Sequence, residues 1–181
     1  MKKRLRHRVR AIGALFAFAV AIGLSGFAIA AEKKEARVTQ AVHNVQLLAS
    51  NTATRPASVR DNVSPGTAVR TGSNSRAELA FADRRLARLG ANSVFSFGEG
   101  EFDLASGSML LYAPKNSGTA RINTKLATVT GNSFTAMAEY RPESGLKFII
   151  LEGHGSVSLR YHPGETRKVH AGQRRLSIFP G

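Results

Sequence analysis

Cysteine is absent from this chain, and that absence removes two things at once. No disulfide can staple the fold, and no cysteine follows the N-terminal apolar run to carry a lipid. Acidic residues are scarce. Twelve Asp and Glu stand against 26 Lys and Arg, a formal net charge of +14. An excess of this size favours anionic surfaces such as phosphorylated lipid or acidic polymer. Aromatics make up 7% of the residues. They do not interleave with a clustered basic helix, the arrangement that joins charge neutralisation to base stacking. Nucleic acid is therefore not an expected partner.

Six of the basic residues lie in the first ten positions: Lys2, Lys3, Arg4, Arg6, Arg8 and Arg10. Residues 11–31 carry no charge and contain Ala28-Ile29-Ala30, small residues at the first and third positions of an A-x-A site. This pattern predicts a secretory signal peptide over residues 1–30, cut after Ala30. The apolar run, about 20 residues, is also long enough to span a bilayer if it is not cut. Removal of the signal leaves 20 basic against 12 acidic residues, or +8. Residues 31–37, AEKKEAR, read as a charged linker, and residues 38–181 as one domain. A domain of that size can bury roughly two thirds of its surface without covalent staples.

The body of the chain repeats one texture, in which short apolar alternations are broken by Gly, Pro, Asn and Ser. Phe95 and Phe97 flank Ser96; Phe102 and Leu104 flank Asp103; Phe134, Ala136 and Ala138 alternate with Thr135 and Met137; Val157 and Leu159 alternate with serines. Ser64-Pro65-Gly66, residues 113–118 (APKNSG), residues 141–145 (RPESG) and His162-Pro163-Gly164 read as turns or loops. The run Phe148–Leu151 reads as a strand buried on both faces. Leu104-x-x-Gly107-Ser108-Met109 is weakly echoed by Leu151 followed by Gly153-His154-Gly155-Ser156-Val157, either as equivalent strand starts in a pseudo-symmetric sheet or by chance. Strands of four to seven residues between regularly spaced turns predict an all-β single domain of mostly antiparallel strands, a sandwich or a roll.

One stretch tests that prediction. SRAELAFADRRLARLGAN, residues 75–92, has a helical capping box in Ser75-x-x-Glu78 and a closing Gly90. On a helix, however, Phe81 leaves the apolar stripe of Leu79, Ala82, Leu86 and Leu89. Burying a Phe contributes about 1.5–3 kcal/mol, which that helix forfeits. On a hairpin, Ala77, Leu79 and Phe81 share one face, Asp83-Arg84 turns, and Ala87 and Leu89 return on the same face. The hairpin reading leaves only Leu86 outside, so it is preferred.

With the hairpin in place, an ordered set of motifs emerges: Gly66-Thr67-Ala68-Val69-Arg70-Thr71-Gly72 with Ser75-Arg76-Ala77-Glu78-Leu79; Arg88-Leu89-Gly90-Ala91-Asn92-Ser93; Leu104 with Gly107; Ala127-Thr128-Val129-Thr130-Gly131 with Phe134; Leu151-Glu152-Gly153 with Gly155 and Val157; and Ala171-Gly172-Gln173. Through these motifs, which cover roughly residues 36–174, the chain resembles the FecR domain, the exported β domain of bacterial iron-siderophore signalling regulators and of stand-alone envelope proteins. Two departures stand out. The family usually has Asp-Gly at the hairpin tip, where this chain has Asp83-Arg84, and often Gly-Thr-x-Phe where this chain has Gly131-Asn132-Ser133-Phe134. Signalling members also carry a cytoplasmic sigma-factor-binding segment. The basic head of ten residues is too short for that, so no direct sigma-factor contact is expected.

No catalytic set emerges from the residues. Ser144-Gly145-Leu146-Lys147 matches S-x-x-K, but that chemistry needs a helix start with the Lys one turn on, and here the Ser falls at a hairpin tip. Glu101 and Asp103 share an outer face opposite Phe102 and Leu104 and read as a solvated strand edge. His154, His162 and His170 fall eight residues apart, a spacing that matches no ligand motif, so no metal or other cofactor is assigned. The expected binding residues are cations: Arg84, Arg85 and Arg88 on the hairpin, then Arg167, Lys168, Arg174 and Arg175 near the C-terminus. The function expected is a non-catalytic exported binding module whose partner is an envelope protein or an acidic glycan. The alternative is a membrane-anchored periplasmic component of a FecR-type signalling system. Membrane contact is expected only if the N-terminal segment is uncleaved.

Overall fold

The computed structural model describes residues 35–50, 52–161, 164–172 and 176–179. The expected signal peptide lies outside them, as do His162, Pro163, Arg174 and Arg175. The described residues contain no helix. They form fifteen strands: β1 Ala36–Val42, β2 Val45–Leu48, β3 Arg55–Pro56, β4 Asn62–Val63, β5 Ala68–Thr71, β6 Arg76–Phe81, β7 Leu86–Leu89, β8 Val94–Phe97, β9 Glu101–Ala113, β10 Ala120–Asn123, β11 Ala127–Gly131, β12 Phe134–Arg141, β13 Gly145–Leu159, β14 Thr166–His170 and β15 Leu176–Ile178. The all-β prediction holds. β1 begins at Ala36, two residues inside the stretch expected to be linker.

Residues 75–92 are the hairpin. β6 and β7 pair with Leu79 opposite Ala87 and Ala77 opposite Leu89. Those four side chains are buried, while Leu86 and Arg88 face outward. Its tip departs from the ordinary cost of a turn. Arg84 sits at φ +66°, the left-handed region where the family's glycine would be at ease, and its N–H donates to the Phe81 carbonyl at 3.0 Å.

The strands form two layers. The front runs β4-β1-β6-β7-β9-β12-β13-β15, and the back runs β3-β2-β5-β8-β9-β10-β11-β13-β14. The front-layer Phe81 meets the back-layer Phe97 and Phe102 edge-on, with ring centroids 5.0 and 5.3 Å apart, so one core fills the space between the layers. β9 and β13 belong to both layers. β9 pairs with β8 and β10 through its first half and with β7 and β12 through its second. β13 pairs with β12 and β15 through its first half and with β11 and β14 through its second. β9–β10 is the one parallel pairing among the described strands.

The crossings between layers lie along two seams. The first joins β1 to β2 at His43-Asn44, β5 to β6 at Gly72–Ser75, β7 to β8 at Gly90–Ser93, and the halves of β9 at Gly107. The second lies at the other end of the front layer, because β12 begins opposite Ala113 and ends opposite Gly107. There β9 passes to β10 through Pro114–Thr119, β11 to β12 through Asn132-Ser133, and β13 bends at Gly153. Gly107 at φ +91° and Gly153 at φ +80° mark the two bends inside unbroken strands. A Cβ at Gly107 would strike Ser93, and one at Gly153 would strike the Ser133 carbonyl. Neither echoed stretch is therefore a strand start: both lie inside unbroken strands, next to crossings on opposite seams.

The first seam is held by buried hydroxyls. Thr71 Oγ1 accepts from the Ser93 N–H at 2.9 Å and donates to the Gly90 carbonyl at 2.6 Å. Ser93 Oγ accepts from the Ser108 N–H at 3.0 Å and lies 3.0 Å from the Gly90 and Ser108 carbonyls, either of which can take its proton. The Gly72 N–H reaches the Asn44 carbonyl at 2.9 Å, and the Asn92 N–H reaches that of Gly72 at 3.1 Å. These bonds replace the ladder that each bending strand gives up.

The run Phe148–Leu151 is buried on one face only: Phe148 and Ile150 point inward, and Leu151 is 50% exposed. The expectation of two-sided burial fails because, among the described residues, no third layer covers the front layer. Two stability outcomes follow. Ser93→Ala strands buried backbone groups at the seam, so it should cost about 1–3 kcal/mol, read as a lower midpoint in urea unfolding. Arg84→Gly removes the left-handed strain at the tip and should stabilise by roughly 0.5–1 kcal/mol net of the glycine's extra unfolded-state entropy. Thermal unfolding would show a midpoint higher by a few degrees, and a lower midpoint would contradict the reading.

Candidate functional site

The outer face of the front layer is built by the alternation of β7, β9, β12 and β13. Each sends one set of side chains into the core, so the intervening set faces solvent. Register then aligns the outward sets. One row runs Glu78, Arg88, Leu110, Met137, Ile149, and the next runs Ala80, Leu86, Tyr112, Thr135, Glu152. A bulge between Thr135 and Ala136 adds Leu151 between the rows. The centre of this face is apolar: Leu86, Leu110, Tyr112, Met137, Ile149 and Leu151 on four adjacent strands. Tyr112 is 41% exposed, Met137 39% and Leu151 50%. Isolated exposed apolar residues are ordinary, but a contiguous group rimmed by charge marks a contact surface.

The rim is charged. Arg88 Nε donates to Glu78 Oε2 at 2.6 Å, and Arg141 pairs with Glu139 at 2.9 Å. Glu78 also accepts from Thr39 Oγ1 at 2.7 Å. The hydrogen bond from Arg88 and then that from Thr39 hold the Glu78 carboxyl below its usual range. It therefore stays ionised through mild acid and keeps Arg88 in place. At the second-seam end, an open depression is lined by Arg84, Tyr112, Lys115, Glu152 and His154.

Among the described residues, the expected cations do not form one patch. Arg84 and Arg88 are exposed on the front-layer hairpin. Arg167 and Lys168 are exposed on β14, at the edge of the back layer, with Arg167 held to Glu165 at 2.6 Å. Arg174 and Arg175 lie outside the described residues. Arg85, expected on the hairpin surface, is instead 5% exposed. Its guanidinium donates through Nη2 to the Ser117 carbonyl and, at 3.0 Å, to that of Thr119. It lies 3.4 Å from Asp83 and 5.6 Å from the Phe102 ring centroid, while Nε has no partner among the described residues. Arg85 ties the hairpin tip to the loop that carries β9 across to β10. Adjacent arginines part company here because Arg84 takes the left-handed position at the tip, which turns Arg85 beneath that loop.

The remaining candidates fall as follows. Ser144 is in the β12–β13 turn and Lys147 in β13, so the pair lacks the helical turn that S-x-x-K chemistry requires. Glu101 and Asp103 share the outer face of β9, where the Asn123 amide reaches them at 3.4 and 3.2 Å. Arg121 pairs with Glu101 at 3.7 Å. His154 and His170 are opposite each other on β13 and β14. No group of three or more metal-ligating residues occurs among the described residues. Sequence reasoning passed over the apolar face. Its signal was present in the excess of Met and Leu at the outward positions of Met109–Leu111, Ala136–Ala138 and Phe148–Leu151.

A family model described as FecR protein matches residues 67–156, from β5 to the back-layer half of β13. Two crystal structures of a "putative anti-sigma factor" from Parabacteroides distasonis ATCC 8503 superpose on this chain with a TM-score of 0.50 at 10% identity. The likeness covers 62% of this chain and 59% of that one, so this chain spans less than two thirds of that protein. At such identity the likeness is one of fold. No curated protein matches. The matched segment contains the hairpin, most of the first seam and the glycine bends of both β9 and β13, and this chain carries a FecR domain at residues 67–156.

Proposed function

We propose that this chain is an exported, non-catalytic FecR-type module that docks an envelope protein through the outer face of its front layer. The observation that carries the reading is the apolar group Leu110, Tyr112, Met137, Ile149 and Leu151, held in register and open to solvent. Export rests on the basic head, apolar run and A-x-A site of residues 1–30. An acidic glycan is the weaker partner, because the cations do not converge. Arg84 and Arg88 lie on one layer, Arg167 and Lys168 on the other, and Arg88 and Arg167 are each paired with a Glu. Charge serves here as a rim around an apolar contact, where it steers and orients more than it binds.

A second reading is favoured by one observation. The fold resembles that of a protein named as a putative anti-sigma factor, and the N-terminal apolar run could hold the domain at a membrane. In that reading the same front face receives a signal from an envelope partner while residues 11–31 anchor the chain. The two readings share a surface and differ in whether the N-terminus is cut.

Two experiments test these readings. The pair Met137→Asp and Leu151→Asp alters exposed side chains only, so the unfolding midpoint should stay near that of the parent. Burial of each side chain is worth roughly 1.5–3 kcal/mol, so affinity for a partner crosslinked to the parent protein in envelope extract should fall by about tenfold or more. Retention of the partner by the double variant would refute the docking face. The intact mass of the protein from the envelope fraction separates the two readings. A chain beginning at Ala31 is expected for the free module, and a chain that retains residues 11–30 would favour the anchored one.

A further inference from the structure

We propose that His154 and His170 form a surface chelate for a late first-row divalent metal ion, bridging β13 to the edge strand β14. The proposal is independent of the docking face and rests on register. The two residues are direct partners in the β13–β14 ladder. The Ala171 N–H donates to the Gly153 carbonyl at 3.0 Å, so the bond flanks the pair instead of joining it. That makes His154 and His170 a non-hydrogen-bonded pair, the kind in which Cα atoms lie about 4.5 Å apart and side chains come closest.

Alternation places both imidazoles on the same side. Val157 and Val169 point into the core, so His154 and His170 point out, and both are exposed. Their ring centroids are 6.1 Å apart with planes at 35°. Two imidazole nitrogens at about 2.0–2.1 Å from one ion put the ring centroids roughly 5–6 Å apart. The observed separation lies just beyond that range, so the two rings stand close to the geometry of a shared ion. Gly153 at φ +80° sets the bend that presents His154 at the end of the ladder, and Glu152 lines the same depression as His154. The spacing of eight residues gave no hint of a ligand motif, because the two donors come from different strands and not from one turn.

Imidazole donors suit Cu2+, Ni2+ and Zn2+ and disfavour Mg2+ and Ca2+. Two protein ligands leave the other positions to water or to a group from a partner. The chelate fastens an edge strand that the β13 ladder otherwise holds alone on that side. Its affinity should follow the order Cu2+ above Ni2+ and Zn2+.

The test uses untagged protein from the envelope fraction, titrated separately with CuCl2, NiCl2, ZnCl2 and MgCl2 by calorimetry. The expected result is one site with a dissociation constant of order ten to a hundred micromolar for Cu2+ (about −5.5 to −7 kcal/mol), weaker for Zn2+ and undetected for Mg2+. His154→Ala and His170→Ala should each lose at least tenfold, and His43→Ala should match the parent. Saturating metal should raise the unfolding midpoint of the parent but not that of His170→Ala. Exposed histidine-to-alanine changes leave the core intact, so each variant can be checked for folding by its metal-free midpoint. Parent-like Cu2+ affinity in the His154→Ala/His170→Ala double variant, or a parent protein that binds no metal below millimolar concentration, would overturn the proposal.

Discussion

A pleated strand cannot pass from one layer to another without giving up ladder hydrogen bonds, and the donors and acceptors it gives up must be satisfied where it bends. Most of this molecule follows from that constraint. Three of the four crossings on the first seam carry a glycine at the bend, and a hydroxyl or amide lies beside each crossing. Thr71, Ser75 and Ser93 are buried, and all three engage backbone groups of neighbouring crossings. The seam is a second ladder made partly of side chains, perpendicular to the first. Without it the strands would have to end at the layer boundary, and the core would lose the continuous walls that β9 and β13 provide.

The constraint also explains how much could be read in the sequence. The alternation of Phe95, Phe97, Phe102 and Leu104, and of Phe134, Ala136 and Ala138, set the strands and their inward faces. All of these residues are buried. Residues 75–92 were decided by the position of Phe81, and the rings it meets in the back layer account for the cost of the rejected helix. The motifs that carry the family resemblance cluster at bends: Thr71-Gly72, Gly90–Ser93, Gly107, Gly131 and Gly153. They are legible because bends admit few residue types. They describe how the layers are joined, and they carry no information about what the layers bind.

What could not be read depends on pairing between distant strands. Nothing local indicates that β10 lies parallel to β9, or that His154 faces His170. Arg85 is the sharpest case, because its neighbours Arg84 and Arg88 behave as surface cations. Burying a guanidinium costs several kcal/mol of desolvation unless its N–H groups find partners. Here two carbonyls of residues 117 and 119, one carboxylate and one aromatic face meet most of that demand. The two carbonyls sit more than thirty residues along the chain, at the point where the crossings change from the first seam to the second. Arginine suits this place because its planar fork can serve two carbonyls at once.

The two outer faces of the molecule are chemically unlike, and the difference traces to the same architecture. On the back layer the outward row Ser96, Asp103, Asn123, Thr128, Ser158 and Thr166 runs in register across six strands, and its members bond to one another. Such a row satisfies itself and water. On the front layer the corresponding positions are Leu86, Leu110, Tyr112, Met137 and Ile149. A fold stabilised only by its inner core gains nothing from apolar residues at outward positions, and it risks association through them. The asymmetry is therefore a property of the sequence that the fold does not require. A chain that blunts its back-layer edge with Arg167 and Lys168 on β14, as edge strands commonly are, yet leaves its front face apolar, protects one surface from association while keeping another open to it.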